Sequence, residues 1–338
     1  MKYDATVDCN YTGIEGAVAN GVKMFERVAS ALGDANASSI IFIRNGHYYE
    51  KLDIDKPSIT LIGESRDKTI LTFDAASGTR KPDGATFTTW GCASVTVRAS
   101  DFHAENLTIE NGFDFPANAA KASDDPTRTA DPQAVALKTD LGSQRAIFKR
   151  VNFIGYQDTL FANSGTQYFY QCAIAGNIDF IFGAGQAVFE DCDIVSRERG
   201  YITAASTASS NPYGFLFVNC RLSKEQPSLA DASVTLGRPW HPTTDLRDGT
   251  RAADPNAIGW VVYKNCWMDS HIAARGWDKM HGRDKDGKTI WFYPHDARFF
   301  EYGSTGPGAI ASIERRILSA SEQANYSASS VLGGWTPT

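Results

Sequence analysis

The sequence predicts an all-β fold, a right-handed parallel β-helix, from three observations: a recurring 20-odd-residue pattern, strand-forming composition within each repeat, and cap-like segments at both ends. An aromatic, two residues, a small or thiol-bearing residue, one more and then an apolar residue recur along the chain. The copies are Phe148-x-x-Val151-x-Phe153, Phe169-x-x-Cys172-x-Ile174, Phe189-x-x-Cys192-x-Ile194, Phe217-x-x-Cys220-x-Leu222 and Tyr263-x-x-Cys266-x-Met268, with a looser one at Phe102-x-x-Glu105-x-Leu107. Their aromatics are spaced 46, 21, 20, 28 and 46 apart, a unit of 20 to 23 residues with insertions and two-unit gaps. Each unit holds β-branched and aromatic runs separated by Gly, Asn and Asp, so its elements are strands and turns. The Leu-x-x-Leu-x-Leu frame of a leucine-rich repeat is missing, which leaves the β-helix, with like residues stacked about one strand spacing, roughly 4.8 Å, apart.

A solenoid must cover its terminal coils, where strand edges would otherwise be unpaired. Between about residues 15 and 35, Val22, Phe25, Ala29 and Leu32 fall on one helical face and Gly33 is a stop, which predicts an N-terminal capping helix. Between about 312 and 332, Ser319-x-x-Glu322 is a capping box leading into Ala324, Ala328 and Val331, with Gly333-Gly334 behind, which predicts a second. Residues 1–338 are then one domain. Polar insertions at about 112–132, 223–235, 241–258 and 271–300 are placed to wall a groove along its side.

Composition narrows the function. The net charge of −6, with both signs interspersed, offers no basic stripe for nucleic acid. No apolar run reaches the ~18 residues of a membrane span. The six cysteines and six histidines show no metal-ligand spacing, so neither metal nor cofactor is expected. Met1-Lys2-Tyr3-Asp4 lacks the apolar core of a signal peptide, which fits a cytosolic chain or a mature secreted one.

Asp158 and Asp179 are 21 residues apart, one coil, and therefore stack. Neighbouring carboxylates resist ionising together, so one can serve as an acid while its partner stays a nucleophile or base. Spacing alone equally allows two turn aspartates of the solenoid.

The flanking segments separate these readings. Gln133-Ala134-Val135-Ala136-Leu137, Gly155-Tyr156-Gln157-Asp158-Thr159-Leu160, Asp179-Phe180-Ile181-Phe182-Gly183 and Leu236-Gly237-Arg238-Pro239-Trp240 resemble, in order and spacing, the signature segments of the pectin methylesterases. Similarity runs from Tyr3 to Trp335, and Asn111-Gly112-Phe113-Asp114-Phe115-Pro116 and Gly276-Trp277-Asp278-Lys279-Met280 look like the bacterial branch. The resemblance implies hydrolysis of the methyl esters of galacturonate in pectin or methylated oligogalacturonides. It implies Asp179 as nucleophile, Asp158 as acid then base, Gln133 and Gln157 as oxyanion donors, and Arg238 as the partner that keeps Asp179 ionised. For sugar contacts it implies Trp240, Phe182, Phe161, Ile178, Thr243, Met280, Arg199 and Tyr201. Two departures touch substrate preference: Phe161 stands where relatives often carry Tyr, and Gly91-Cys92 where Gly-Thr is common.

Cys172 and Cys192, 20 apart at one ladder position, come within disulfide range, and relatives of the bacterial branch carry cysteines at both places. A bridge there fits secreted or periplasmic residence, whereas Cys9, Cys92, Cys220 and Cys266 have no evident partners. The chain is expected to act as a monomer. A glycoside hydrolase on the same fold is the main rival, because paired carboxylates also suit that chemistry, but the Asn-Thr-Asp, Asp-Asp and Gly-His-Gly segments of polygalacturonases are absent. A calcium-dependent lyase would need an acidic cluster around a basic residue. A non-catalytic carbohydrate-binding β-helix would have no use for paired Asp, Gln and Arg at these spacings.

Overall fold

Three short strands per coil build the chain into a parallel β-helix in the computed structural model, which describes residues 2–337. The first face is a twelve-stranded sheet running from the N-terminal strands through Ala146–Lys149, Thr166–Tyr170, Gln186–Glu190, Phe215–Val218 and Trp260–Lys264 to Arg298–Tyr302. The second and third faces belong to one thirteen-stranded sheet, because Ala173–Gly183 and Asp193–Ala205 run unbroken through the corner between them.

The corner from first to second face explains the sequence repeat. Asn106, Arg150, Gln171, Asp191, Asn219 and Asn265 all have φ between 51° and 57°, and each immediately precedes the small or apolar residue of the pattern. One left-handed residue turns the strand sharply, and Asn and Asp tolerate that conformation because their short side chains bond locally. Inside the corner the aromatics stack: Phe148 to Phe169 at 4.8 Å, Phe169 to Phe189 at 4.7 Å, Phe189 to Phe217 and Phe217 to Tyr263 at 4.5 Å each.

Beside this column lies a column of four buried thiols, and here the structure corrects the expected bridge: Cys172 and Cys192 are free, as are the other four cysteines. Strands in register point successive Cβ atoms the same way, and each thiol finds a backbone acceptor one coil back. Cys172 Sγ donates to the Phe148 carbonyl at 3.3 Å, Cys192 to Phe169 at 3.4 Å, Cys220 to Phe189 at 3.3 Å and Cys266 to Phe217 at 3.7 Å. They serve as small core residues with weak donors.

Both end caps differ from expectation. Val22 and Phe25 lie in the strand Val22–Phe25, which pairs in parallel with Ala5–Val7, and only Val28–Asp34 is helical. The buried Glu50 carboxylate accepts from the first N–H groups of this helix, Val28 at 2.8 Å and Ala29 at 2.9 Å. At the other end the capping box forms, with Ser319 N donating to Glu322 Oε2 at 2.8 Å and Glu322 N to Ser319 Oγ at 3.2 Å. It starts one 3-10 turn, Glu322–Asn325, and a separate short helix, Ala328–Val331, follows. Val331 and Leu332 pack on the outer side of the first face, with Val188, Leu216, Trp260 and Val262. The last coil is closed instead by the segment around Arg315, whose side chain forms a buried ion pair with Glu301 of the final strand.

The insertions carry structure of their own. Phe115–Ala120 is a helix capped by Asp114, and antiparallel hairpins join Thr243–Asp245 with Arg251–Ala253 and Met280–Arg283 with Thr289–Phe292. Among the described residues, no helix is long and apolar enough to cross a membrane.

Candidate active site

The third face carries an outward row of Thr96, Lys138, Phe161, Phe182 and Ala204 in register on successive coils. Phe161 and Phe182 stack at 4.2 Å and make the floor of a cleft of about 410 Å³. Gln133, Gln157, Asp158, Asp179, Arg238, Trp240 and Met280 line it, together with Ser77, Thr88, Thr89, Trp90 and Ala204.

Parallel pairing on both sides of the corner fixes the aspartates. Asn152 pairs with Ala173 before it and Leu160 with Ile181 after it, the same 21-residue offset that separates Asp158 from Asp179. Both aspartates are left-handed, φ 66° and 50°, and the Asp158 N–H donates to the Ile178 carbonyl at 3.0 Å. They are thus corner residues of the coil, and their short side chains are what that corner accepts. One coil further the register breaks: Gly176 pairs with Ser196, Ile178 with Tyr201 and Ile181 with Thr203, so the second coil bulges beside Asp179.

Arg238 follows the strand Val234–Gly237 and reaches back across that bulge. Its Nε donates to Asp179 Oδ1 at 2.8 Å and its Nη2 to Oδ2 at 2.6 Å, a bidentate pair. The guanidinium rests on the Tyr201 ring, 3.9 Å from its centroid, so Tyr201 supports the ion pair as well as lining a groove.

Burial drives both carboxyls up from their ordinary range. Asp158 is raised well above it, by desolvation first and then by the negative charge of Asp179. Asp179 is also raised by desolvation, with Arg238 opposing it. The guanidinium therefore offsets burial without reversing it, a correction to the expectation of a depressed Asp179. Asp158 faces a second carboxyl while Asp179 faces a guanidinium, so the push toward the neutral form is opposed at Asp179 by its bidentate partner. The Oε1 of Gln133 is buried without a hydrogen-bond partner among the described residues.

The remaining sequence-predicted residues separate into three groups. Ile178, Arg199 and Tyr201 lie together in an adjoining groove of about 940 Å³ that also includes Arg197 and Arg275. Phe161, part of that floor, is fully buried and offers no open sugar platform. Thr243 sits exposed on its hairpin and lines neither cavity, because pairing with Ala253 carries it into the loop layer. Cys92, at the second departure, is buried with its Sγ 3.7 Å from the Gln133 carbonyl, behind the cleft wall. Trp90 was not legible in the sequence: it lies outside every repeat, in the four-residue helix Thr88–Gly91, and only its half-exposed ring at the cleft rim marks it.

The pectinesterase family profile matches residues 17–331. This chain belongs to the pectinesterase family. Its curated relatives include pectinesterase A of Dickeya chrysanthemi, 46% identical over 99% of this chain and 94% of the relative. A pectin methylesterase solved in complex with a hexasaccharide superposes with a TM-score of 0.94 at 45% identity, covering 100% of this chain and 99% of that one. The Yersinia enterocolitica pectin methylesterase gives 0.88 at 47% identity, covering 92% and 100%. These pectinesterases support the bacterial branch and the parallel β-helix fold.

Proposed function

We propose that this pectinesterase hydrolyses the methyl esters of galacturonate units in pectin or its methylated oligomers, through a covalent acyl-aspartate. One observation carries the reading: two stacked, buried aspartates, of which one holds a bidentate arginine and the other is the more strongly driven to keep its proton.

Asp179 attacks the ester carbonyl carbon. The carbonyl electrons move onto oxygen, where the Gln133 and Gln157 amides donate to the tetrahedral oxyanion, each such donor being worth about 3 kcal/mol. As the intermediate collapses, the carboxylic acid of Asp158 protonates the methoxide oxygen and methanol leaves. Asp158, now a carboxylate, takes a proton from water as that water attacks the acyl carbon, and Asp179 departs ionised beside Arg238. Trp240 offers the sugar its ring face above the floor that Phe182 forms with Phe161; Met280 borders the same cleft, and Arg199 is available to uronate carboxylates in the groove alongside. A wall polymer as substrate supports a secreted or periplasmic enzyme.

Methyl-ester hydrolysis leaves every glycosidic bond intact. Methylated pectin should release methanol in proportion to enzyme, with no new reducing ends and no ultraviolet absorbance of unsaturated products, and Asp179→Asn should abolish the release. Reducing ends that grow with enzyme and vanish in Asp179→Asn would move the dyad's chemistry to the glycosidic bond and overturn the esterase reading.

A further inference from the structure

Trp90 and Trp240 converge on Phe161 from opposite ends of the helix axis. Trp90 precedes the strand Val95–Val97, two coils to the N-terminal side of Leu160–Ala162, whereas Trp240 follows Val234–Gly237 on the C-terminal side. Both indoles meet Phe161 edge-on, Trp90 at 5.0 Å and Trp240 at 6.2 Å between centroids. Trp240 is partly buried, but Trp90 leaves 51% of its surface open at the cleft rim.

The turn that presents Trp90 is held by costly means. Lys138 is only 2% exposed and sits next to Phe161 in the outward row. Its Nζ donates to the Trp90 carbonyl at 2.7 Å and pairs with Asp140 at 2.9 Å, and it lies 5.8 Å from the centroid of the indole it supports. Arg98 completes the cluster, with Nη1 2.6 Å from Asp140. Thr88, which begins the turn and lines the cleft, has φ 59°, a strained value for a β-branched residue. Burying a cation and straining a backbone are poor ways merely to pack a surface turn, since apolar residues would do so at less cost. They are suited to holding an open aromatic face in one orientation beside the dyad.

We propose that Trp90 is an additional sugar-stacking subsite on the N-terminal side of the catalytic cleft, and that Lys138 is its positioning residue. The inference rests on the esterase reading and deepens it. Its ligand is a pyranose ring of the galacturonate chain, whose apolar C–H face lies flat on the indole while the ester of a neighbouring unit meets Asp179.

The test uses the full chain with methylated hexagalacturonate. Trp90→Ala should raise KM about tenfold, the effect of one lost aromatic contact, with a smaller change in kcat. Trp90→Phe, which keeps a ring face, should stay within about threefold of wild type, and Lys138→Met should raise KM in the direction of Trp90→Ala. Calorimetry in an Asp179→Asn background should report the same tenfold loss as a dissociation constant. Should Trp90→Ala fail to fold, Trp90→Gln supplies the comparison. A wild type that releases no methanol would sink the esterase reading itself. An active wild type whose KM and dissociation constant survive loss of the Trp90 ring would sink only the subsite.

Discussion

At Asp158 and Asp179 two uses of aspartate coincide. The same left-handed corner that makes them turn residues turns both carboxyls into the cleft, so serving as a solenoid turn does not compete with the proposed role in a dyad. Asparagine keeps the shape and tolerates the backbone, and is the clean substitution; alanine would add strain of about 1–2 kcal/mol to the loss of the carboxyl. Their pKa order sets the pH profile. Attack needs Asp179 ionised and methanol departure needs Asp158 protonated, so the rate should fall as pH drops through the raised value of Asp179 and again as pH climbs through the higher value of Asp158. For stability the sign is opposite to that of a salt-bridged surface aspartate: both folded-state values lie above the unfolded ones, so the contribution is complete at low pH and is lost as pH rises through the folded values. Arg238→Gln removes the charge that opposes burial at Asp179 and should move the acid limb of kcat to higher pH, with Arg238→Lys in between. An acid limb that stays put in pH-rate profiles of both variants would mean that Asp179 does not govern it. Residue-scale legibility followed the backbone: the dyad, glutamines and Arg238 stood in dense motifs with coil spacing, whereas Trp90 owes its place to a turn held from another coil by Lys138.

The elements were legible where a residue has the same neighbour on every coil. The aromatic column shows this, because each ring of the repeat lies face to face with the next and the pattern can be read without knowing the fold. It failed at the ends, where that regularity stops. Val22 and Phe25 satisfied a helical spacing over too few residues to reject a strand, and pairing with Ala5–Val7 decided between them. The thiol column was legible as a column: spacing places Cys172 beside Cys192, and the structure holds both as thiols, each donating to a carbonyl one coil back. The aromatic column also sets an energetic expectation. Phe169 is fully buried with a ring on each side, so Phe169→Ala opens a cavity that neighbouring coils, hydrogen-bonded to one another, cannot collapse to fill. Urea denaturation should show a loss of about 3–5 kcal/mol, and Phe169→Leu clearly less. A loss under 1 kcal/mol would mean that the coils slide to close the gap.

Over the whole molecule, stability depends on how the solenoid is closed, because an inner coil is paired on both sides and the last one is not. The final strand, Arg298–Tyr302, is covered by a return of the chain that bridges Glu301 to Ile317 and inserts Arg315. Arg315 and Glu301 are each 2% exposed at the side chain; Nε meets Oε1 at 2.7 Å and Nη1 donates to the Gly308 carbonyl at 2.8 Å. No spacing rule announced this pair, since its partners are 14 residues apart in an irregular segment. A buried ion pair draws its value from mutual satisfaction, as the desolvation of each charge nearly cancels the attraction between them. Glu301→Gln leaves the guanidinium buried without its counter-charge and should cost about 3–5 kcal/mol, read as a lower urea midpoint. Replacing both by apolar residues of similar size, Glu301→Leu with Arg315→Met, should recover most of that loss. Since the pair lies at the terminal coil and the dyad at an inner one, methanol release per folded molecule should be the same in all three proteins well below their midpoints. If the double variant were as unstable as Glu301→Gln, the pair would be needed for how it steers the returning chain onto the last strand rather than for balancing charge.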